Sequence, residues 1–312
     1  MKGLELSRLF YEEYGRAMID ELFPNEAGRI AIGLAGEGSE CLGYDDDVSC
    51  DHDFEPGFCL WISREDEERF GFRLERAYSK LPRNFMGYSR QIQSPVGGNR
   101  HGVIVIDEFY KRFLGAPSAP DSLMHWLYLP SHSLLCASNG EVFRDDLGAF
   151  SAVRETVKRG YPIDVKLKKL AAHAVFMYQS GIYNYERCVK RGESAAAQLA
   201  VFEFVKHAIS FSYLMNDKYE PFYKWAYRGM KDFTLFADIA PMLEEISTTP
   251  NNSASFSEKT KIINIISDAF CRELVSEELS GAKDNNLEAH AYSIIKRISD
   301  ANLRNMHIME GV

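Results

Sequence analysis

Residues 30–62, IAIGLAGEGSECLGYDDDVSCDHDFEPGFCLWI, decide how this chain is read. Ile30, Ile32 and Leu34 alternate in a short apolar run that predicts a strand running into glycines. Gly36 and Gly38 let the backbone approach a ligand closely. The segment after them offers N–H groups and the Ser39 hydroxyl to phosphate oxygens. Residues 37–50 read as a turn-rich loop, and strand character returns over 51–62. Asp51 stands twelve positions after Ser39, and Asp53 two further on. Residues i and i+2 of a strand share a face. Two carboxylates so placed suit divalent metal ions with oxygen ligands. His52, facing the other way, reads as a hydrogen-bonded core histidine. The loop acids Asp45, Asp46 and Asp47 read as solvated, or as outer support for the metal site.

The neighbouring segments extend this pattern. Leu6, Phe10, Tyr14, Ala17, Met18 and Leu22 have helical spacing over 4–23, and Pro24 stops the helix. Residues 64–80 are charged and helical in pattern, and 94–101 form a loop. GVIVIDEFY at 102–110 reads as a further strand. In SLLCASNGEVF, Asn139-Gly140 between apolar runs is a hairpin signal. Beyond residue 150 the texture turns helical, over 164–191, 194–215, 257–276 and 284–305, with Pro221 and Pro241 where helices can start. The expected fold class is α+β: a mixed sheet flanked by helices over 1–150, then an all-α helical bundle over 151–312.

Bulk properties narrow the function classes. A hydrophobic content of 46% and a charged content of 26% fit an ordinary globular chain. A net charge of −9 argues against a broad nucleic-acid surface. No apolar stretch is long enough for a membrane span, and no signal-peptide pattern opens the chain. The six cysteines are scattered without a CxxC pair, and a cytoplasmic location is expected. The chain has no GxSxG elbow, no Walker lysine after the glycines and no HExxH.

The ordered combination of strand, Gly-Ser, loop and DxD resembles the polymerase-β-like nucleotidyltransferase superfamily. The wider chain is similar to an uncharacterised bacterial family of nucleotidyltransferase-like proteins. The segments that carry this likeness are GSECLGYDDDVSCDHDF, HGVIVID, GEVFRDDLGAF, GYPIDV, YNYERCVKRGE and LMNDKYEPFYKW, across residues 37–225. Its departures are the long Ser39-to-Asp51 gap, His52 where an apolar residue is usual, and Glu55 where glycine usually precedes the proline. The resemblance implies a metal-dependent transfer of an NMP, AMP from ATP in the first instance, to the hydroxyl of a small molecule, with release of pyrophosphate. It implies two Mg²⁺ ions on Asp51 and Asp53, and a third carboxylate from a later strand. Asp107 is the candidate for that carboxylate, with Glu108 as its alternative. Gly38 and Ser39 are expected to hold the phosphates.

In the helical half, Lys218, Tyr219, Tyr223 and Lys224 interleave cations with aromatics. Lys224 and Arg228 share a helix face. Such a set can bind a triphosphate and stack a base, and the resemblance implies a helical domain that closes over the nucleotide. The alternatives are a protein AMPylase of antitoxin type and a nucleotide-binding regulatory module without turnover.

Overall fold

The computed structural model describes residues 1–48, 54–90, 100–252 and 254–312. The chain divides into two compact units. The first comprises Met1–Asp121 and Pro130–Arg159; the second comprises Ser122–Leu129 and Gly160–Val312. The fold is mixed α/β, with a small mixed sheet and many helices.

The sheet of the first unit contains β1 (Ala31–Leu34), β2 (Cys59–Ile62), β5 (Gly102–Val105) and β6 (Glu141–Arg144), in the order β5-β2-β1-β6. A two-stranded ribbon of β3 (Asn84–Phe85) and β4 (Tyr88–Ser89) lies in the connection between β2 and β5. AIGL and CLWI carry no charged residue, and both strands are buried along their whole length. Strands covered on both faces read as continuous apolar runs, which places β1 and β2 in the middle of the sheet. β1 runs antiparallel to β2 and to β6, whereas β5 runs parallel to β2.

Phe58, Leu60 and Ile62 face one core, with Phe10, Ile19, Phe23, Phe70 and Leu74 from the helices before β1 and after β2. Trp61 faces the other side. Its ring stacks on Phe150 at 3.8 Å and meets Phe109 edge-on at 5.7 Å. Gly33 is required by this packing, because a Cβ there would sit 2.9 Å from the Trp61 ring and 2.2 Å from the Glu141 carbonyl oxygen.

Two differences from the sequence expectation bear on the site. The GVIVIDEFY strand ends at Val105, and Ile106–Leu114 is a helix. Ile106, Phe109, Tyr110, Phe113 and Leu114 are buried at helical spacing, and this outweighs the β-branched run before them. Asp107 therefore lies in the first helical turn, where an acid complements the helix dipole, rather than on a strand. The second difference concerns SLLCASNGEVF. Residues Ser131–Ser138 form a helix, so Asn139-Gly140 joins a helix to β6 rather than two strands.

The break between units also falls later than residue 150. The Ala149–Lys158 helix stays with the first unit because Phe150 packs on Trp61, Phe109 and Tyr110.

The second unit is helical. Ile163–Met177 packs against Ser194–Met215 and Leu287–Ile295, and Phe256–Ser276 packs against Ile239–Thr248. The Asp164 carboxylate fastens the start of the first of these helices to the Ser299 and Asp300 N–H groups at 3.0 and 2.8 Å. Lys168 donates to the Met306 and His307 carbonyls, at 3.2 and 2.7 Å, which gives its buried ammonium partners. Among the described residues, no helix is long and apolar enough to cross a membrane.

Candidate functional site

The glycine turn leaves the C-terminal end of β1. Gly36 and Gly38 adopt φ of 114° and 121°, a region that side-chain-bearing residues rarely enter. Ser39 opens a single helical turn, Ser39–Leu42, and is half-buried. The turn is pinned from a distance by Asn139. Its Oδ1 accepts from the Gly36 N–H at 2.9 Å, and its Nδ2 donates to the Gly36 carbonyl at 2.8 Å. Asn139 is itself held by Arg154, which donates to the Asn139 and Gly140 carbonyls at 3.0 and 2.7 Å. The Gly140 N–H then donates to the Cys41 carbonyl at 3.0 Å, on the far side of the turn.

What approaches the Gly38 backbone is a side chain of this chain. A Cβ on Gly38 would lie 1.9 Å from Arg100 Nη2. Arg100 donates to the Glu37 carbonyl at 2.7 Å and pairs with Glu40. Its own carbonyl accepts from Cys59 Sγ at 3.2 Å, which ties it to β2. Burial pushes the Cys59 thiol up to about 12, so it stays a neutral donor. Arg112, from the Ile106–Leu114 helix, pairs with the Glu37 carboxylate. Beside the turn opens a cleft of about 310 Å³, lined by Ala35, Gly36, Glu37, Arg100, Glu108, Arg112 and the rings of Phe109 and Phe113.

Asp51, His52 and Asp53 lie outside the described residues. Phe54 to Phe58, which follow them, lead into β2 at the same end of the sheet as the turn, since Gly33 faces Cys59 across the antiparallel pair. On that lead-in, Glu55 Oε1 meets His101 Nδ1 at 3.1 Å, and His101 is buried.

Asp107 stands elsewhere. β5 runs antiparallel to β1 through β2, so the far end of β5 is opposite the turn. Asp107 follows that end, in the first turn of the Ile106–Leu114 helix, and is exposed. Its expected alternative, Glu108, lines the cleft and pairs with Arg64. Asp45 is buried rather than solvated. Its Oδ2 accepts from the Gly3 N–H at 2.8 Å, fastening the first helix beside the turn. Glu37, Glu40 and Glu55 each face a cation or a histidine at this end of the sheet.

The second unit carries the aromatic and basic segment. Lys218 lies over the Phe233 ring at 5.1 Å. Tyr219 meets Tyr161 edge-on at 5.1 Å, and burial raises its hydroxyl well above the usual tyrosine range. Tyr223 is 76% exposed and lies beside Phe222 at 4.5 Å. Lys224 and Arg228 both lie over the Trp225 ring, at 5.5 and 5.7 Å from its centroid. The four expected residues therefore split into separate contacts, with Lys218 and Tyr219 packed before the Tyr223–Met230 helix and Tyr223 and Lys224 at its start.

The sequence reading singles out neither Arg100 nor Arg112, and takes Asn139 only as half of a hairpin turn. The signal for Arg112 was its helical offset of four from Glu108 on the polar side of the helix. Asn139 carried no local signal for its contact with Gly36, 103 residues away.

No curated protein and no solved structure matches the chain. A match is found to one family model, described as "Domain of unknown function (DUF4037)", over residues 126–226. The matched stretch holds Asn139 and Arg154 of the first unit and the segment from Lys218 to Trp225 of the second. Over those residues the chain is similar to an uncharacterised domain family.

Proposed function

We propose that the first unit binds a nucleoside triphosphate and is a nucleotidyltransferase of the polymerase-β-like kind. The observation that carries this reading is the Gly36-Glu37-Gly38-Ser39 turn. It ends β1, is held open by Asn139, borders a cleft with two arginines, and adjoins the lead-in to an antiparallel β2. Ser39 and the backbone of the turn then take phosphate oxygens, and Arg100 and Arg112 supply charge. Glu37, Glu40 and Glu55 are each paired with a cation or a histidine, and this reading assigns magnesium to Asp51 and Asp53. Magnesium, when bound, neutralises charge on the departing pyrophosphate. An acceptor hydroxyl oxygen forms the new bond to the α-phosphorus as the bond to pyrophosphate breaks, and the hydroxyl proton passes to solvent. Positioning and charge neutralisation carry most of the acceleration. The net charge of −9 favours a small-molecule acceptor over nucleic acid.

The test is incubation with Mg²⁺, α-labelled ATP and a metabolite pool. Label should move to an acceptor with release of pyrophosphate, and Asp51→Asn with Asp53→Asn should abolish transfer. Absence of both transfer and ATP binding in a sensitive assay would refute the reading. The position of Asp107, exposed at the far end of the sheet, favours one second reading: a module that binds nucleotide without turnover. ATP binding without transfer to any acceptor, small molecule or protein, separates the two.

A further inference from the structure

The guanidinium groups of Arg100 and Arg112 reach the same residue from two elements. Arg100, at the entry to β5, donates to the Glu37 carbonyl at 2.7 Å while also pairing with Glu40, and Arg112, from the Ile106–Leu114 helix, pairs with the Glu37 carboxylate. Glu37 sits between the two positive-φ glycines of the turn and on the wall of the cleft. We propose that this cleft is a polyphosphate clamp in which Arg100 and Arg112 grip the anion and Glu37 is a built-in competitor that holds the place of the ligand. The inference rests on the nucleotide reading above, and it assigns the triphosphate tail to these two arginines.

Three observations support it. A carboxylate already occupies the position between the arginine of the helix and the glycine turn, so the geometry accepts an oxyanion there. The Glu37–Arg112 pair is weakly held, with side chains 54% and 45% exposed, and such a pair shifts an equilibrium by at most about fivefold. A multiply charged polyphosphate therefore displaces Glu37 at little cost and gains forked, charge-assisted hydrogen bonds in its place. Finally, the absence of a side chain at Gly38 lets Arg100 Nη2 approach the turn, since a Cβ there would lie 1.9 Å from it.

The test is calorimetric titration of the full chain with inorganic tripolyphosphate in magnesium-free buffer. Glu37→Gln should bind about fivefold tighter. Arg112→Gln should bind at least about tenfold weaker, and Arg112→Lys should recover only part of that loss because lysine keeps the charge but not the fork. Glu65→Gln, an exposed acid outside the cleft, changes net charge equally and should leave affinity unchanged. The clamp is overturned if Glu37→Gln fails to tighten binding, if Glu65→Gln tightens it as much, or if Arg112→Gln binds as the parent does. If nucleotidyl transfer survives unchanged in Arg112→Gln, the clamp fails while the nucleotide reading stands. If the tripolyphosphate pattern holds but Asp51→Asn and Asp53→Asn change neither MgATP binding nor transfer, the transferase reading fails while the clamp stands.

Discussion

Removing the Asn139 amide tests whether the glycine turn is shaped from a distance. In Asn139→Ala, the Gly36 N–H loses its acceptor at 2.9 Å and the Gly36 carbonyl loses its donor at 2.8 Å. Both groups are buried, and the alanine methyl replaces neither the acceptor nor the donor. A typical hydrogen bond contributes roughly 0.5–1.5 kcal/mol net, and a buried group left without a partner costs roughly 1–3 kcal/mol. Partial rescue by water places the total at about 2–4 kcal/mol. The effect is local, because Arg154 still holds the carbonyls of residues 139 and 140. The assay is native-state hydrogen exchange over the peptide spanning residues 30–48. A loss of 2 kcal/mol raises exchange at Gly36 about 30-fold, while exchange in the Ser194–Met215 helix of the second unit should not change. Affinity for tripolyphosphate should fall in parallel. If Gly36 exchange rises less than about threefold, the turn holds its shape without Asn139 and the reasoning is wrong.

Three further outcomes follow from the packing and the titratable core. Gly38→Ala forces a side chain into φ 121° and displaces the Arg100–Glu40 pair, so it should cost about 1–3 kcal/mol in urea unfolding. Trp61→Ala should cost about 3–5 kcal/mol because the ring is fully buried against Phe150. Trp61→Phe should cost under about 1.5 kcal/mol, since the indole N–H has no hydrogen-bond partner among the described residues. The third concerns pH. His173 and His207 share a hydrogen bond at 2.8 Å between their Nδ1 atoms, with Glu203 on His207 at 3.1 Å. Burial, reinforced by His207 and by Lys169 and Lys206, pushes His173 well below its ordinary value; burial also pushes His207 down to about 4, against the opposing pull of Glu203. The folded chain keeps both rings neutral while the unfolded chain takes up protons below about 6.5. Stability is therefore full above pH 6.5 and falls as pH drops towards 4, by roughly 1.4 kcal/mol per pH unit for each proton. His207→Gln should flatten that dependence in a urea series at several pH values.

Local pattern disclosed the elements with long, regular signals. The helices at Ser194–Met215 and Phe256–Ser276 follow from apolar periodicity, and β1 follows from an apolar run that meets glycines. The strand–helix junction at Val105 is not legible in the sequence, because GVIVI has strong strand character and hides the helical spacing from Ile106 onward. The Asn139-Gly140 pair has the chemistry of a hairpin, but the amide of Asn139 is spent on Gly36. That contact is decided by which elements the sheet brings together, and no window of neighbouring residues contains it. The same holds for Arg100 and Arg112, whose partners lie 60 to 75 residues away. Strand parity would group Asp107 with Val103 and Val105, but parity ceases to apply once the strand ends at Val105.

The most direct test of the nucleotide reading is a crystal structure of the chain with Mn²⁺ and a non-hydrolysable ATP analogue, read by the anomalous signal of the metal. The account predicts metal density between Asp51 and Asp53, the triphosphate over residues 36–39, and Glu37 turned away from Arg112. A nucleotide bound elsewhere, or metal held by other residues while Asp51 and Asp53 stay apart from it, would contradict it.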